Sequence, residues 1–118
     1  VWSCDVFDKR NPSYSTKYDN ANFCLGNSFS LSREINEKID LFYIDAGHDR
    51  NDVLTDVSNL RNFQHENSVW VFDDFDERFG CFHDIQSICS NNDNHYIYEV
   101  GKTASNLPNH QVIVCGKI

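Results

Sequence analysis

Three apolar runs in this chain stop at carboxylates. One ends at Asp5, Leu41-Phe42-Tyr43-Ile44 ends at Asp45, and Val69-Trp70-Val71-Phe72 ends at Asp73 and Asp74. If these runs are neighbouring strands of an open α/β sheet, their acids collect on the rim where such sheets bind ligands. Adjacent parallel strands lie roughly 4.8 Å apart, which brings Asp45 and Asp73 within reach of one cation. Crowded carboxylates raise one another's pKa. A hard divalent ion such as Mg²⁺ relieves that repulsion and takes oxygen ligands octahedrally. The same acids also suit plain structural ends, because Asp forms turns and caps helices. Asp76, Glu77 and Arg78 read as a solvated turn, and His65, His83, His95 and His110 show no ligand spacing.

The elements that must position these acids follow from the pattern. Residues 1–6 are a short apolar run, a strand. Residues 9–20 are polar, contain Asn11-Pro12-Ser13 and read as a loop. Residues 22–25 are a second strand candidate closed by Gly26-Asn27. Residues 28–38 carry Leu31 and Ile35 on one helical face, with Ser28 or Ser30 as cap. The runs 41–44 and 69–72 suit strands buried on both faces, with Tyr43, Trp70 and Phe72 in the core. Between them, Val53, Leu54, Val57 and Leu60 mark an amphipathic helix from Asp49 or Arg50 to Asn62. Phe82, Ile85, Ile88 and Cys89 mark another. Residues 95–100 and 111–115 are the last strands, joined by a loop over 101–109 and so antiparallel. The alternation predicts an α/β fold, with a Rossmann-like, mainly parallel sheet, flanking helices and a C-terminal antiparallel strand pair.

Composition narrows the classes. The chain has 118 residues, 40% hydrophobic and 14% aromatic, which is enough for one packed domain. Its net charge of −8, from 18 acids and 10 bases, repels phosphate backbones, and no run of Lys and Arg offsets it. No nucleic-acid partner is expected on that ground. No stretch is apolar over the length of a bilayer span, and no signal peptide is visible. The five cysteines are odd in number and form no CxxC pair. Cys4, Cys24 and Cys115 fall in strand-like runs and read as buried reduced thiols, which points to a cytoplasmic setting. The chain lacks Met and opens at Val1 directly into a strand, which suggests a cut within a fold. Sheet edges left open by such a cut favour association with another chain.

The phrases Asp40-Leu41-Phe42-Tyr43-Ile44-Asp45-Ala46-Gly47-His48 and Val69-Trp70-Val71-Phe72-Asp73-Asp74-Phe75 resemble a known pair. They are similar to the central strands of class I S-adenosylmethionine-dependent methyltransferases, in the small-molecule and sugar O-methyltransferase branch. The resemblance runs from Val1 to the strand near Val114, and Asp5 and the final strand pair add to it. It implies S-adenosylmethionine as methyl donor and a hydroxylated small-molecule substrate. By resemblance, Asp5 binds the ribose hydroxyls of the cofactor, and Asn27 and Ser28 sit at its adenine. Asp45, Asp73 and Asp74 hold Mg²⁺, which lowers the pKa of the hydroxyl to be methylated. His48 and Asp45 are the catalytic candidates, His48 as general base. The family's first strand and glycine-rich loop would precede Val1. Residues 1–118 are therefore expected to be a single partial domain without that loop.

Other classes remain open. The chain is alternatively a non-catalytic remnant of the same fold, kept as a binding or structural module. A phosphatase-like enzyme using a nucleophilic Asp is disfavoured, because no DxDx[TV] sequence follows a strand. A nicotinamide enzyme needs GxGxxG, which is not in these residues.

Overall fold

A computed structural model describes residues 1–8, 20–102 and 106–118. The loop expected over 9–20 lies outside the described residues except for its last position. The chain divides into two compact units, Val1–Glu37 and Lys38–Ile118.

In the first unit, β1 (Trp2–Asp5) pairs in parallel with β2 (Asn22–Leu25), so that Asp5 is level with Leu25. The helix expected over 28–38 is shorter, and α1 spans only Ser28–Ser32. Its N-cap is Asn27, whose side-chain oxygen accepts the Ser30 N–H at 3.0 Å. The Ser30 hydroxyl donates to Asn27 and the Ser32 hydroxyl to the Phe29 carbonyl. Such local side-chain bonds compete with continued helix. Leu31 and Ile35 are nevertheless buried, as the apolar spacing requires. The Trp2 indole donates to Glu37 at 2.7 Å.

The second unit carries a four-stranded sheet in the order β3-β4-β6-β5. Its strands are β3 (Leu41–Ile44), β4 (Val69–Phe72), β5 (His95–Lys102) and β6 (Pro108–Cys115). Only β3 and β4 are parallel. The β4–β6 and β6–β5 ladders are antiparallel, so this sheet is mixed and not mainly parallel as expected. The antiparallel C-terminal pair itself is present. β6 inserts beside β4 because it is the more apolar of the two: Val112 and Val114 are fully buried, opposite Phe72 and Trp70. β5 is left at the edge, with Tyr96, Ile97, Tyr98 and Val100 exposed. Strand pairing reaches Lys102 and Pro108, well into the segment read as a loop.

Helix α2 (Asp52–Leu60) makes the crossover between the parallel strands, and α3 (Cys81–Ser90) follows β4. α2 begins later than the apolar spacing suggests, because Asn51 sits in the left-handed region at φ 72°. Val53, Val57 and Leu60 of α2 and Ile85 and Ile88 of α3 are buried. With Trp70 and Phe72 they form the core, each large apolar side chain contributing about 1.5–3 kcal/mol by its burial. The Phe42 and Trp70 rings stack at 3.8 Å.

Tyr43 departs from its expected place in the core. β3 alternates, with Phe42 and Ile44 buried, while Leu41 is 59% and Tyr43 53% exposed. A continuous apolar run does not require cover on both faces, and here one face of β3 is open. The five cysteines are free, but only Cys81 is buried. Cys4, Cys24 and Cys115, expected to be buried, are half-buried. Among the described residues, no helix is long and apolar enough to cross a membrane.

Candidate active site

The parallel pairing of β3 and β4 sends the residues after both strands to one rim. Ile44 is level with Phe72, and Asp73 continues the ladder by donating its N–H to the Ile44 carbonyl at 3.0 Å. Asp74 then takes φ 55°, a left-handed turn that Asp tolerates better than most residues. There its Oδ2 lies 2.8 Å from Nε2 of His48, on the loop after β3. The side chains are 52% and 29% exposed, so this pair is open to a ligand.

His48 is fixed in three ways. Its ring meets Asp74 at one edge and stacks on Phe79, with centroids 4.1 Å apart. Its carbonyl accepts the N–H groups of Gly80, at 2.7 Å, and Cys81, at 3.3 Å. That anchor requires glycine at position 80. A Cβ there would lie 2.7 Å from the Arg50 nitrogen and 3.0 Å from the His48 oxygen. With Nε2–H donated to Asp74, Nδ1 keeps the lone pair and becomes the basic atom.

Asp73 is held by different partners. The Tyr43 hydroxyl donates to its Oδ2 at 2.5 Å, and the Asp74 N–H donates to its Oδ1 at 2.9 Å. Gln111 of β6 donates to the Tyr43 oxygen at 2.9 Å. The hydrogen bond to Asp73 pushes the Tyr43 phenol up to about 12, helped by burial and by the charges of Asp73 and Asp45, and opposed by Gln111. Tyr43 is therefore a fixed donor at neutral pH.

These contacts bear on the expected metal site, which the structure does not assemble among the described residues. Asp73 is engaged by Tyr43 and by backbone, and Asp74 by His48, so hydrogen-bond donors rather than a cation balance the carboxylates. Among the described residues, no group of three or more His, Cys, Asp or Glu is placed to hold a metal ion. Asp45, Asp73 and Asp74 therefore do not form a three-carboxylate site for Mg²⁺ among the described residues. Asp45 is exposed beside Tyr43. The sequence reading missed Tyr43 and Gln111. Strand alternation alone places Tyr43 on the same face as Asp45, but nothing local points to Gln111.

In the first unit, Asp5 closes β1 and Asn27 lies two residues past the end of β2. Asp5 Oδ1 accepts the Phe7 N–H at 3.0 Å, and its carbonyl accepts the Gly26 N–H at 3.0 Å. Asn27 spends its side-chain oxygen on the α1 cap, and Ser28 is buried. A Cβ on Gly26 would lie 2.9 Å from the Ser30 side chain, so the turn after β2 admits only glycine without a shift.

The comparisons agree with this geometry. No curated protein matches the sequence. Among solved structures, the whole chain matches an rRNA methylase from Streptococcus thermophilus at TM-score 0.75 and 13% identity, over 74% of that chain. It also matches a protein described as an rRNA methylase from Clostridium thermocellum at TM-score 0.62 and 11% identity, over 75% of that chain. At these identities the likeness is one of fold. It still overturns the expectation that nucleic acid is excluded, since proteins of this fold carry that description. Net charge is a sum over the surface, whereas a nucleotide is met by local groups. Residues 3–75, from β1 through the Asp73-Asp74-Phe75 turn, match the family described as a methyltransferase domain, and the chain belongs to that family.

Proposed function

We propose that this chain performs S-adenosylmethionine-dependent methyl transfer to a hydroxyl oxygen, with His48 as the base and Asp74 as the residue that orients it. The observation that carries this reading is the 2.8 Å contact between His48 Nε2 and Asp74 Oδ2 on the open rim of a methyltransferase-family fold.

When bound, the cofactor supplies an electrophilic methyl group on sulfur. The chain's own residues supply the rest. Asp5, at the end of β1, is the acceptor for vicinal ribose hydroxyls, because the two oxygens of one carboxylate match two neighbouring hydroxyl donors. Asn27 is the neighbour suited to the adenine, and the buried Ser28 supports the turn. At the rim, Asp74 fixes the tautomer of His48, so that Nδ1 is the atom that would take the proton of the acceptor hydroxyl, whose oxygen would gain the methyl as the methyl–sulfur bond breaks and the neutral thioether leaves. Tyr43, protonated, holds the Asp73 carboxylate beside the start of the Asp74 turn.

The resemblance of the two strand-end phrases to small-molecule and sugar O-methyltransferases favours a small-molecule or sugar hydroxyl as acceptor. An RNA nucleotide offers the same group, and the description of the Streptococcus thermophilus protein favours this second source. Calorimetric titration of S-adenosylhomocysteine into the full-length protein tests the reading. Binding that is weakened by Asp5→Ala is expected. A full-length protein that does not bind S-adenosylhomocysteine overturns it.

A further inference from the structure

A second feature of the same unit begins where the rim ends. Asp74 turns the chain so that its own carboxylate meets His48 while the next residue, Phe75, enters the wall of an open cleft of about 540 Å³. The Phe75 N–H donates to the His110 carbonyl at 3.1 Å, which ties this wall to β6. Phe75 and Phe82 stack at 4.6 Å and 26°. Ile97 and Leu107, 52% and 42% exposed, complete the apolar lining. These are large hydrophobic groups left open on a unit that has a well-filled core, and such surface commonly marks a ligand site.

The polar lining decides what kind of ligand suits it. Asp76 and Glu77 bring two carboxylates, and Arg78 brings one guanidinium already spent on Asp76. The Arg78 hydrogen bond holds Asp76 down to about 2, so it is charged across the working range. An anionic group is disfavoured in such a cleft. Asp76 Oδ1 already accepts from the Arg78 backbone N–H and Nε–H, whereas among the described residues Oδ2 accepts only from Nη2, so a hydroxyl or amino donor on a ligand finds an acceptor at Oδ2.

We infer that this cleft binds an uncharged planar ring of nucleobase or phenol size, face against the Phe75–Phe82 stack, with ring donors toward Asp76 and Glu77. This rests on the methyl-transfer reading only for its purpose, since the cleft wall begins at Phe75, the residue after Asp74, and a ring held there would belong to the acceptor. Recognition of a ring by aromatic faces and a few polar groups is shared by a free nucleoside and a base of single-stranded RNA.

The test is amide chemical-shift mapping of the full-length protein with uridine and, separately, with a uridine hexanucleotide. Uridine avoids the adenosine that belongs to the methyl donor. Shifts at Phe75, Phe82 and Ile97 are expected with at least one probe. If only uridine shifts them, the ring comes from a small molecule; if the hexanucleotide does, it comes from RNA. Phe82→Ala is expected to weaken binding roughly tenfold, as the loss of one stacking face does. Ile97→Arg, at an exposed position, crosses the cleft without disturbing the core and is expected to abolish the shifts. Absence of shifts at these residues with both probes, or binding unchanged in Ile97→Arg, overturns the inference. S-adenosylhomocysteine binding, measured on the same samples, keeps this failure distinct from failure of the methyl-transfer reading.

Discussion

The Tyr43 hydroxyl donates to Asp73 Oδ2 at 2.5 Å, and this bond joins the two parallel strands at their functional ends. It raises the phenol to about 12. A folded-state pKa above the unfolded value near 10 means that the unfolded chain loses its proton first. The resulting stability is fully present below about pH 10 and is lost as pH rises through about 12. Denaturant unfolding from neutral to strongly alkaline pH, on wild type and Tyr43→Phe, checks this. The wild type is expected to lose more stability across that window than the variant. Identical pH dependence would mean that the bond does not persist in solution.

The same bond and the His48–Asp74 pair engage the rim carboxylates, and among the described residues no group of three or more His, Cys, Asp or Glu is placed to hold a metal ion. Turnover by the full-length protein is expected to be unchanged after dialysis against a chelator. Loss of activity restored by Mg²⁺, but not by the buffer alone, would show that the carboxylates rearrange around an ion.

Gly80 links stability to chemistry. A Cβ there presses on the Arg50 nitrogen and the His48 carbonyl, both backbone, which cannot swing aside. Gly80→Ala is expected to cost about 1–3 kcal/mol in chemical denaturation. It should also lower turnover, because a displacement of about 1 Å at a catalytic group costs about 10²-fold. A variant of unchanged stability and activity would show that loop 48–50 is not seated on α3.

Asp84 is 5% exposed on α3, and among the described residues its Oδ2 has no hydrogen-bond partner. Burying an uncompensated carboxylate is costly, and a neutral amide costs less. Asp84→Asn is expected to raise stability by about 1 kcal/mol, read from the denaturation midpoint. A marked fall would show that the charge has a partner in solution.

Much of this arrangement is legible from residue order. The two apolar runs bounded by acids are β3 and β4, and Val53, Val57 and Leu60 do bury one face of α2. What residue order conceals is non-local. Nothing in residues 95–115 states that β6 will insert between β4 and β5, so neither the mixed sheet nor Gln111 beside Tyr43 is foreseeable. The continuous run at β3 hides which face is covered, and Tyr43 was assigned to the core for that reason. Strand ends locate Asp73 and Asp74 correctly. Their hydrogen-bond partners, Tyr43 and His48, belong to another strand and loop, and nothing next to Asp73 or Asp74 in sequence names them.

The most direct measurement is the rate of S-adenosylhomocysteine formation by the full-length protein, wild type, His48→Ala and Asp74→Asn, with catechol and single-stranded uridine RNA as acceptors. His48→Ala is expected to lower kcat by about 10²–10⁴-fold while leaving S-adenosylhomocysteine affinity unchanged, and Asp74→Asn to fall between it and wild type. Equal turnover by His48→Ala and wild type would contradict the assignment of His48 as the base.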